Sequence, residues 1–274
     1  MSETTTGAGG ARGVVTGPLA GLIVDWGGVL TPPLDAAMVA WAQRDGVDLT
    51  HFRDVMRGWV GARRDAREAL AGDADAAGTV PRGVVLPSRD ATPAPGSDGV
   101  VARVEQADDG PAGSSPVHRL ERGELPVGDF EALLAAELAG RGSTVEPEGL
   151  LRRVLGDLAE LDVSMVGLVA RAREAGLRTA LLSNSWGNAY PDELMSGLFD
   201  AVVISGDVGM RKPELRIYRH TADLLGLPES ACVMVDDLPH NVHAAAAAGM
   251  VGVLHRTYDE TLGELEILFE RSLR

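Results

Sequence analysis

After Asp162 the chain settles into a rhythm that few folds can accommodate. Short apolar runs alternate with amphipathic stretches, and most of the runs end in polar residues. Helical spacing at 165–175 stops at Gly176, and the run at 178–182 leads into Ser183-Asn184-Ser185. A short helix near 192–197 precedes a run at 201–204 and the loop that carries Lys212-Pro213. A helix at 215–225 then leads to a run at 231–235 that ends in Asp236-Asp237. A helix at 240–248 stops at Gly249, and a final run at 251–254 precedes a terminal helix. Strands this short and this uniformly apolar are buried on both faces, which predicts an α/β fold: a parallel sheet with helices on both sides. Ligands of such sheets sit at the carboxyl ends of the strands, where the polar residues just named fall.

The first half of the chain contributes one more strand signal, at 19–24, ending at Asp25 and broken by Gly27, Gly28 and Pro32-Pro33. From 35 to about 71 the pattern is helical, with Met38, Trp41, Ala42, Phe52, Val55, Met56 and Trp59 at helical spacings. The stretch 72–116 is built largely from Gly, Pro, Ala, Ser and Asp and contains no aromatic residue. It reads as a mobile insertion, with short strand signals at 83–86 and 100–104. Helical periodicity resumes at 117–140 and 147–161. Residues 1–17 are Thr/Gly-rich with Glu3 ahead of any basic residue, which predicts a disordered tail rather than a signal peptide.

Composition removes several classes of function. Apolar residues make up 45 % of the 274, enough for a packed core, and the formal net charge of -15 disfavours a phosphate backbone as partner. The one cysteine, Cys232, excludes a disulfide framework or a thiolate metal cluster and reads as a buried strand residue. No run reaches the roughly 18 apolar residues of a membrane span. The expectation is a cytoplasmic protein with no nucleic-acid or membrane partner. Of 25 basic residues only one, Lys212, is lysine. A lysine that survives such an arginine bias is a candidate for work a guanidinium cannot do.

The predicted strand ends thus present Asp25, Ser183-Asn184, Lys212 and Asp236-Asp237. Carboxylates gathered in one place repel unless a cation joins them, so Asp25, Asp236 and Asp237 point to a hard divalent ion. Oxygen ligands favour magnesium, which keeps waters and meets substrate phosphates. Lys212 would then neutralise a phosphoryl oxygen or hold Asp25 ionised, and Ser183 would donate to another phosphoryl oxygen. An Asp25 oxygen left free could attack phosphorus.

These residues fall in four motifs: Leu22-Ile23-Val24-Asp25-Trp26-Gly27-Gly28-Val29-Leu30, Leu181-Leu182-Ser183-Asn184-Ser185, Arg211-Lys212-Pro213, and Val235-Asp236-Asp237-Leu238-Pro239-His240-Asn241. In this order the chain resembles haloacid dehalogenase superfamily hydrolases from Leu19 to about Leu254, outside 72–116. Ser183-Asn184-Ser185-Trp186, the run from Val208 to Pro213, and Asp236-Asp237 with Asn241 resemble the phosphatase domain of soluble epoxide hydrolases and related small phosphatases. The resemblance implies a Rossmann-like core at 18–33 and 162–274, with an inserted helical cap at 34–161. It implies Asp25 as nucleophile and Ser183, Asn184 and Lys212 as substrate-binding residues. Mg2+ would be held by Asp25, the Gly27 carbonyl and Asp237, with Asp236 either a ligand or the partner of one. The implied reaction is Mg2+-dependent hydrolysis of a small phosphorylated metabolite through an aspartyl phosphate.

One departure matters. Members of this superfamily usually carry a second aspartate two residues after the nucleophile, which protonates the leaving group; here that position is Gly27. General acid–base help is worth about 10²–10⁴ in rate, so alkyl phosphates should suffer most. The rival readings are a non-catalytic phosphate-binding or scaffold protein, and a dehalogenase-type hydrolase. Paired carboxylates at Asp236-Asp237 disfavour the latter. A phosphonate hydrolase, suggested by Asp25-Trp26-Gly27-Gly28, needs a cap lysine, and 34–161 has none.

The remaining polar residues take ordinary readings. Arg53, Arg57, Arg63, Arg64 and Arg67 read as a solvated helix face, and His240 as a surface residue. His51, His118, His220, His243 and His255 lack metal-ligand spacing. Trp41 and Trp59 read as cap core. A homodimer through a cap face is compatible with the chain, though nothing in it counts subunits.

Overall fold

The computed structural model describes residues 18–60, 83–87, 115–156, 160–187 and 190–274. The expected tail at 1–17, the strand signal at 100–104 and Arg63, Arg64 and Arg67 lie outside them. The sheet has six strands: β1 Gly21–Val24, β2 Val84–Val85, β3 Arg178–Ser183, β4 Ala201–Ile204, β5 Cys232–Asp236 and β6 Val251–Leu254. Their spatial order is β2-β6-β5-β1-β3-β4, with all pairs parallel except β2 with β6. Strand β1 sits between β3 and β5, so chain order reverses on either side of it. That switch point opens a crevice at the carboxyl end of β1.

Side-chain alternation along the strands builds two cores. Leu22, Val24, Leu181, Val233, Val235 and Val253 pack on one face with Leu168 and Val169 of helix Val163–Glu174 and Leu262 and Leu265 of helix Tyr258–Phe269. Ile23, Ala180, Leu182, Val203, Cys232 and Met234 face the other way, onto Ile217, Tyr218 and Ala222 of helix Leu215–Leu225 and onto Ala244 and Ala245 of helix Pro239–Ala247. The period of two, with apolar residues in both registers, is what a sheet covered on both faces requires. Cys232 is fully buried, as a strand residue.

A third, separate cluster is helical. Trp41 of helix Leu34–Asp45, Phe52 and Val55 of Leu49–Val60, Leu120 of Pro116–Glu121, Phe130, Leu134 and Leu138 of Val127–Gly140, and Leu150 and Val154 of Leu150–Leu155 form the cap core. Edge-to-face pairs Trp41–Phe52 and Trp59–Phe130, each with ring centroids 5.3 Å apart, fix its aromatic packing.

Three continuous helical expectations resolve into shorter pieces. The predicted 35–71 helix is interrupted at Gly46, whose φ of +67° only glycine adopts without strain. The 117–140 stretch breaks after Glu121, and Gly123 there packs against the backbone of Gly206 too closely for any Cβ. In the 147–161 stretch, helix Leu150–Leu155 ends at Gly156, also at positive φ. The strand signal at 83–86 is realised as β2, which joins the sheet at its edge beside β6. Among the described residues no helix is long and apolar enough to cross a membrane.

Candidate active site

Asp25 follows β1 directly, and its N–H extends the ladder to the Val235 carbonyl at 3.0 Å. This fixes its side chain at the switch point. One carboxylate oxygen, Oδ1, accepts the Trp26 N–H and lies 2.7 Å from the Lys212 ammonium. Oδ2 makes no hydrogen bond to a described residue, so it is the oxygen available to a guest. Lys212 is 1 % exposed and lies 2.7 Å from Asp236 as well. Asp236, at the end of β5, also accepts from the Leu238 N–H and from the Asn241 amide. Asp236 is thus occupied on both oxygens, whereas the neighbouring Asp237 is half-buried and faces the crevice.

Three carboxylates around one ammonium leave surplus negative charge. Burial pushes the Asp25 carboxyl up to about 8; Lys212 opposes this, while Asp236 and Asp237 reinforce it. Asp237 is pushed up to about 6, by burial and then by Asp236, against the pull of Lys212. Burial alone would discharge Lys212, but Asp236 and Asp25 outweigh it and hold the ammonium above its ordinary value. A second cation is what such a cluster lacks. Asp25, Asp236 and Asp237 each offer an oxygen, and those three atoms lie within 4.8 Å of one another. The donor set is all oxygen, and Gly28 at φ +70° brings its backbone so near Asp237 that a Cβ would overlap the carboxylate. The residues present therefore fit a magnesium ion.

The other expected residues arrive at the same place. Ser183 closes β3, is 2 % exposed, and accepts a hydrogen bond from the Tyr190 phenol at 3.0 Å. Asn184 clamps the lysine loop: its Oδ1 accepts the Lys212 N–H at 2.8 Å and its Nδ2 donates to the Lys212 carbonyl at 3.0 Å. Asn184, expected to contact substrate, therefore also fixes Lys212. A cavity of about 350 Å³ joins these groups, lined by Asp25, Gly27, Ser183, Asn184, Lys212, Asp237 and Asn241 on the core side. Pro33, Leu34, Met38, Leu155, Trp186 and Leu238 supply its apolar walls. His240 is exposed.

Two parts of the site carry no signal in the motifs. Tyr190 is an aromatic in a proline-flanked loop, a weak cue at best. Glu121 lies in the cap sequence among many acids, yet it is 6 % exposed and accepts from the Trp186 indole at 2.8 Å. Its second oxygen pairs with Arg211, and its carbonyl accepts from the Ser205 hydroxyl at 2.5 Å. Beside it Arg122 pairs with Glu214 at 2.9 Å. Cap and core are thus joined by two buried ion pairs next to Lys212.

The fold, with a carboxylate cluster and a buried lysine under a helical cap, is that of a capped hydrolase core. The haloacid dehalogenase-like hydrolase family model matches residues 19–249, and the chain belongs to that family. It is 31 % identical over 146 residues to a sesquiterpene phosphatase of Aspergillus oryzae, covering 51 % of this chain and 71 % of that one. It is 30 % identical over 110 residues to bifunctional epoxide hydrolase 2 of Rattus norvegicus, covering 37 % of this chain and 20 % of that one. With the phosphoserine phosphatase of Thermus thermophilus it shares 37 % identity over 90 residues, 31 % of this chain and 36 % of the other. The chain therefore spans a minor part of the last two. Among solved structures, a family enzyme of Bacteroides thetaiotaomicron in complex with magnesium and inorganic phosphate covers 87 % of this chain and 94 % of its own at 15 % identity, with a TM-score of 0.49.

Proposed function

We propose that the chain is a Mg2+-dependent phosphatase that hydrolyses a small phosphorylated metabolite through Asp25. The observation that carries this reading is the buried Lys212 held at 2.7 Å from both Asp25 and Asp236, with Asp237 beside them and Oδ2 of Asp25 left free. Asp25, Asp237 and the Gly27 backbone, with Asp236 as ligand or as partner of one, would hold Mg2+, which supplies positive charge against phosphoryl oxygens. Oδ2 of Asp25 attacks phosphorus while the leaving oxygen departs with the bonding pair and, Gly27 offering no acid, takes its proton from solvent, giving an aspartyl phosphate and the free alcohol. Lys212 and Ser183 stabilise the charge that gathers on the phosphoryl oxygens. Water then attacks phosphorus, releases inorganic phosphate and returns the Asp25 carboxylate. Asn184 keeps Lys212 in register throughout.

The leaving group would rest against the apolar walls of the cavity, which suits an uncharged organic alcohol. The sesquiterpene phosphatase among the relatives is in keeping with that reading. We place the cap at 34–161, with the edge strand β2 belonging to the core.

The test is phosphate release from sugar, nucleotide, aryl and acyl phosphates, with and without Mg2+. Metal-dependent release that disappears in Asp25→Asn is the expected result. Silence across the panel with metal still bound would favour a phosphate-binding protein without turnover.

A further inference from the structure

Ser183 is a single hydroxyl asked to donate to a phosphoryl oxygen, and a free hydroxyl rotates. What fixes it here is Tyr190. The phenol donates to Ser183 Oγ at 3.0 Å, and its ring meets Trp26 edge to face, with centroids 5.2 Å apart and planes at 71°. Trp26 is fully buried and its backbone N–H donates to Oδ1 of Asp25. Tyr190 therefore ties the end of β3 to the loop that carries the nucleophile. Burial raises the phenol above its ordinary value and the Asp25 charge reinforces this, against the hydrogen bonds with Ser183 and Ser185 and the Lys212 charge, so it keeps its proton and remains a donor.

A serine hydroxyl has one hydrogen and two lone pairs. With Tyr190 donating into one lone pair, the serine hydrogen cannot point back along that line. Ser183 lines the cavity, so the hydrogen is left for an oxygen of the guest. A donor that itself accepts a hydrogen bond is also polarised towards stronger donation. We infer that Tyr190 is a positioning residue, which orients and polarises the Ser183 hydroxyl towards the phosphoryl group. The inference rests on the phosphatase reading for its consequence in turnover, and on geometry alone for its consequence in phosphate binding.

The experiment compares wild type, Tyr190→Phe, Ser183→Ala and the double variant. Each is assayed for turnover of p-nitrophenyl phosphate with Mg2+ and for the rise in melting temperature given by inorganic phosphate with Mg2+. Phenylalanine keeps the ring against Trp26, so the melting temperature without phosphate should stay close to wild type. Removing a direct donor of this kind costs about 10²–10³ in kcat, and an indirect one should cost roughly tenfold. The tenfold loss, and a matching weakening of phosphate binding, should appear when Ser183 is present and vanish in the Ser183→Ala background. Equal losses in both backgrounds would overturn the inference, because the phenol would then act through packing. So would a Tyr190→Phe variant that matches wild type in both readouts. Absence of turnover in wild type would overturn the phosphatase reading alone, since phosphate binding still decides the role of Tyr190.

Discussion

Gly27 occupies the position from which a second carboxylate would reach the leaving group. A Cβ built there meets no atom within 4 Å, and Gly27 does not adopt the positive φ of its neighbour Gly28. The absence of an acid is therefore a choice of side chain that the fold does not force. Gly27→Asp should raise kcat/KM for alkyl phosphates towards the roughly 10²–10⁴ that general acid help supplies, with little change for acyl phosphates. The check is steady-state kinetics on one alkyl and one acyl substrate. No gain on the alkyl ester would mean that protonation of the leaving group is not what limits the protein.

A second prediction at this scale concerns pH. Asp25 is pushed up to about 8 from an ordinary 3.8, so the folded state holds a proton that the unfolded chain has lost. Stability from this group is complete below about pH 4 and is lost as pH rises through about 8. Asp237, pushed up to about 6, acts in the same direction over a lower window. Mg2+ needs both deprotonated, so binding should release protons and its stabilising effect should grow with pH. The rise in melting temperature given by Mg2+ should be clearly larger at pH 8 than at pH 6, read by thermal unfolding in matched buffers. A pH-independent rise would place the ion away from these carboxylates.

At the scale of elements, the cap is fastened to the core by Glu121. Its helix, Pro116–Glu121, ends where the carboxylate can take the Trp186 indole on one oxygen and Arg211 on the other. Removing one partner of a buried pair costs about 3–5 kcal/mol, which lowers the melting temperature of a chain this size by roughly 10 °C. Glu121→Ala should show that loss. Glu121→Gln, which keeps an oxygen for the indole, should recover part of it. Because Arg211 immediately precedes Lys212, both should also lower kcat. An unchanged melting temperature would show that the cap rests on its apolar contacts.

Sequence periodicity reads elements of this kind unevenly, and the reasons are physical. Strands β3 to β6 and helix Leu215–Leu225 stand within a residue or two of expectation, because a doubly covered sheet leaves uninterrupted apolar runs. Asp25, Ser183, Lys212 and Asp236-Asp237 were legible for a related reason: strand ends converge at a switch point, so polarity after an apolar run marks the crevice. Glu121 and Tyr190 were not. Each gains its place from a long-range contact, with Arg211 and Ser183 respectively, and local composition holds no trace of such a partner. The breaks at Gly46 and after Glu121 escaped for the opposite reason, since helical spacing continues across a turn that a glycine makes cheap.

At the scale of the whole molecule, under the phosphatase reading a chain of formal charge -15 has to admit an anionic substrate. The local cation is buried: Lys212 is 1 % exposed and lies between two carboxylates, so it projects little field outward. Attraction at a distance is therefore weak, while the summed surface charge opposes a phosphate dianion until it reaches the cavity mouth. Salt screens exposed charges beyond about 10 Å at 0.1 M and leaves the buried cluster largely untouched. Under the phosphatase reading, kcat/KM for a dianionic substrate should rise by about two- to threefold between 10 and 200 mM potassium chloride at saturating Mg2+, with kcat nearly constant. The rise should shrink for a monoanionic acyl phosphate, whose repulsion is smaller. A fall in kcat/KM with salt would show that positive surface near the cavity steers the substrate. The apolar cavity walls would then recognise only what that surface had already drawn in.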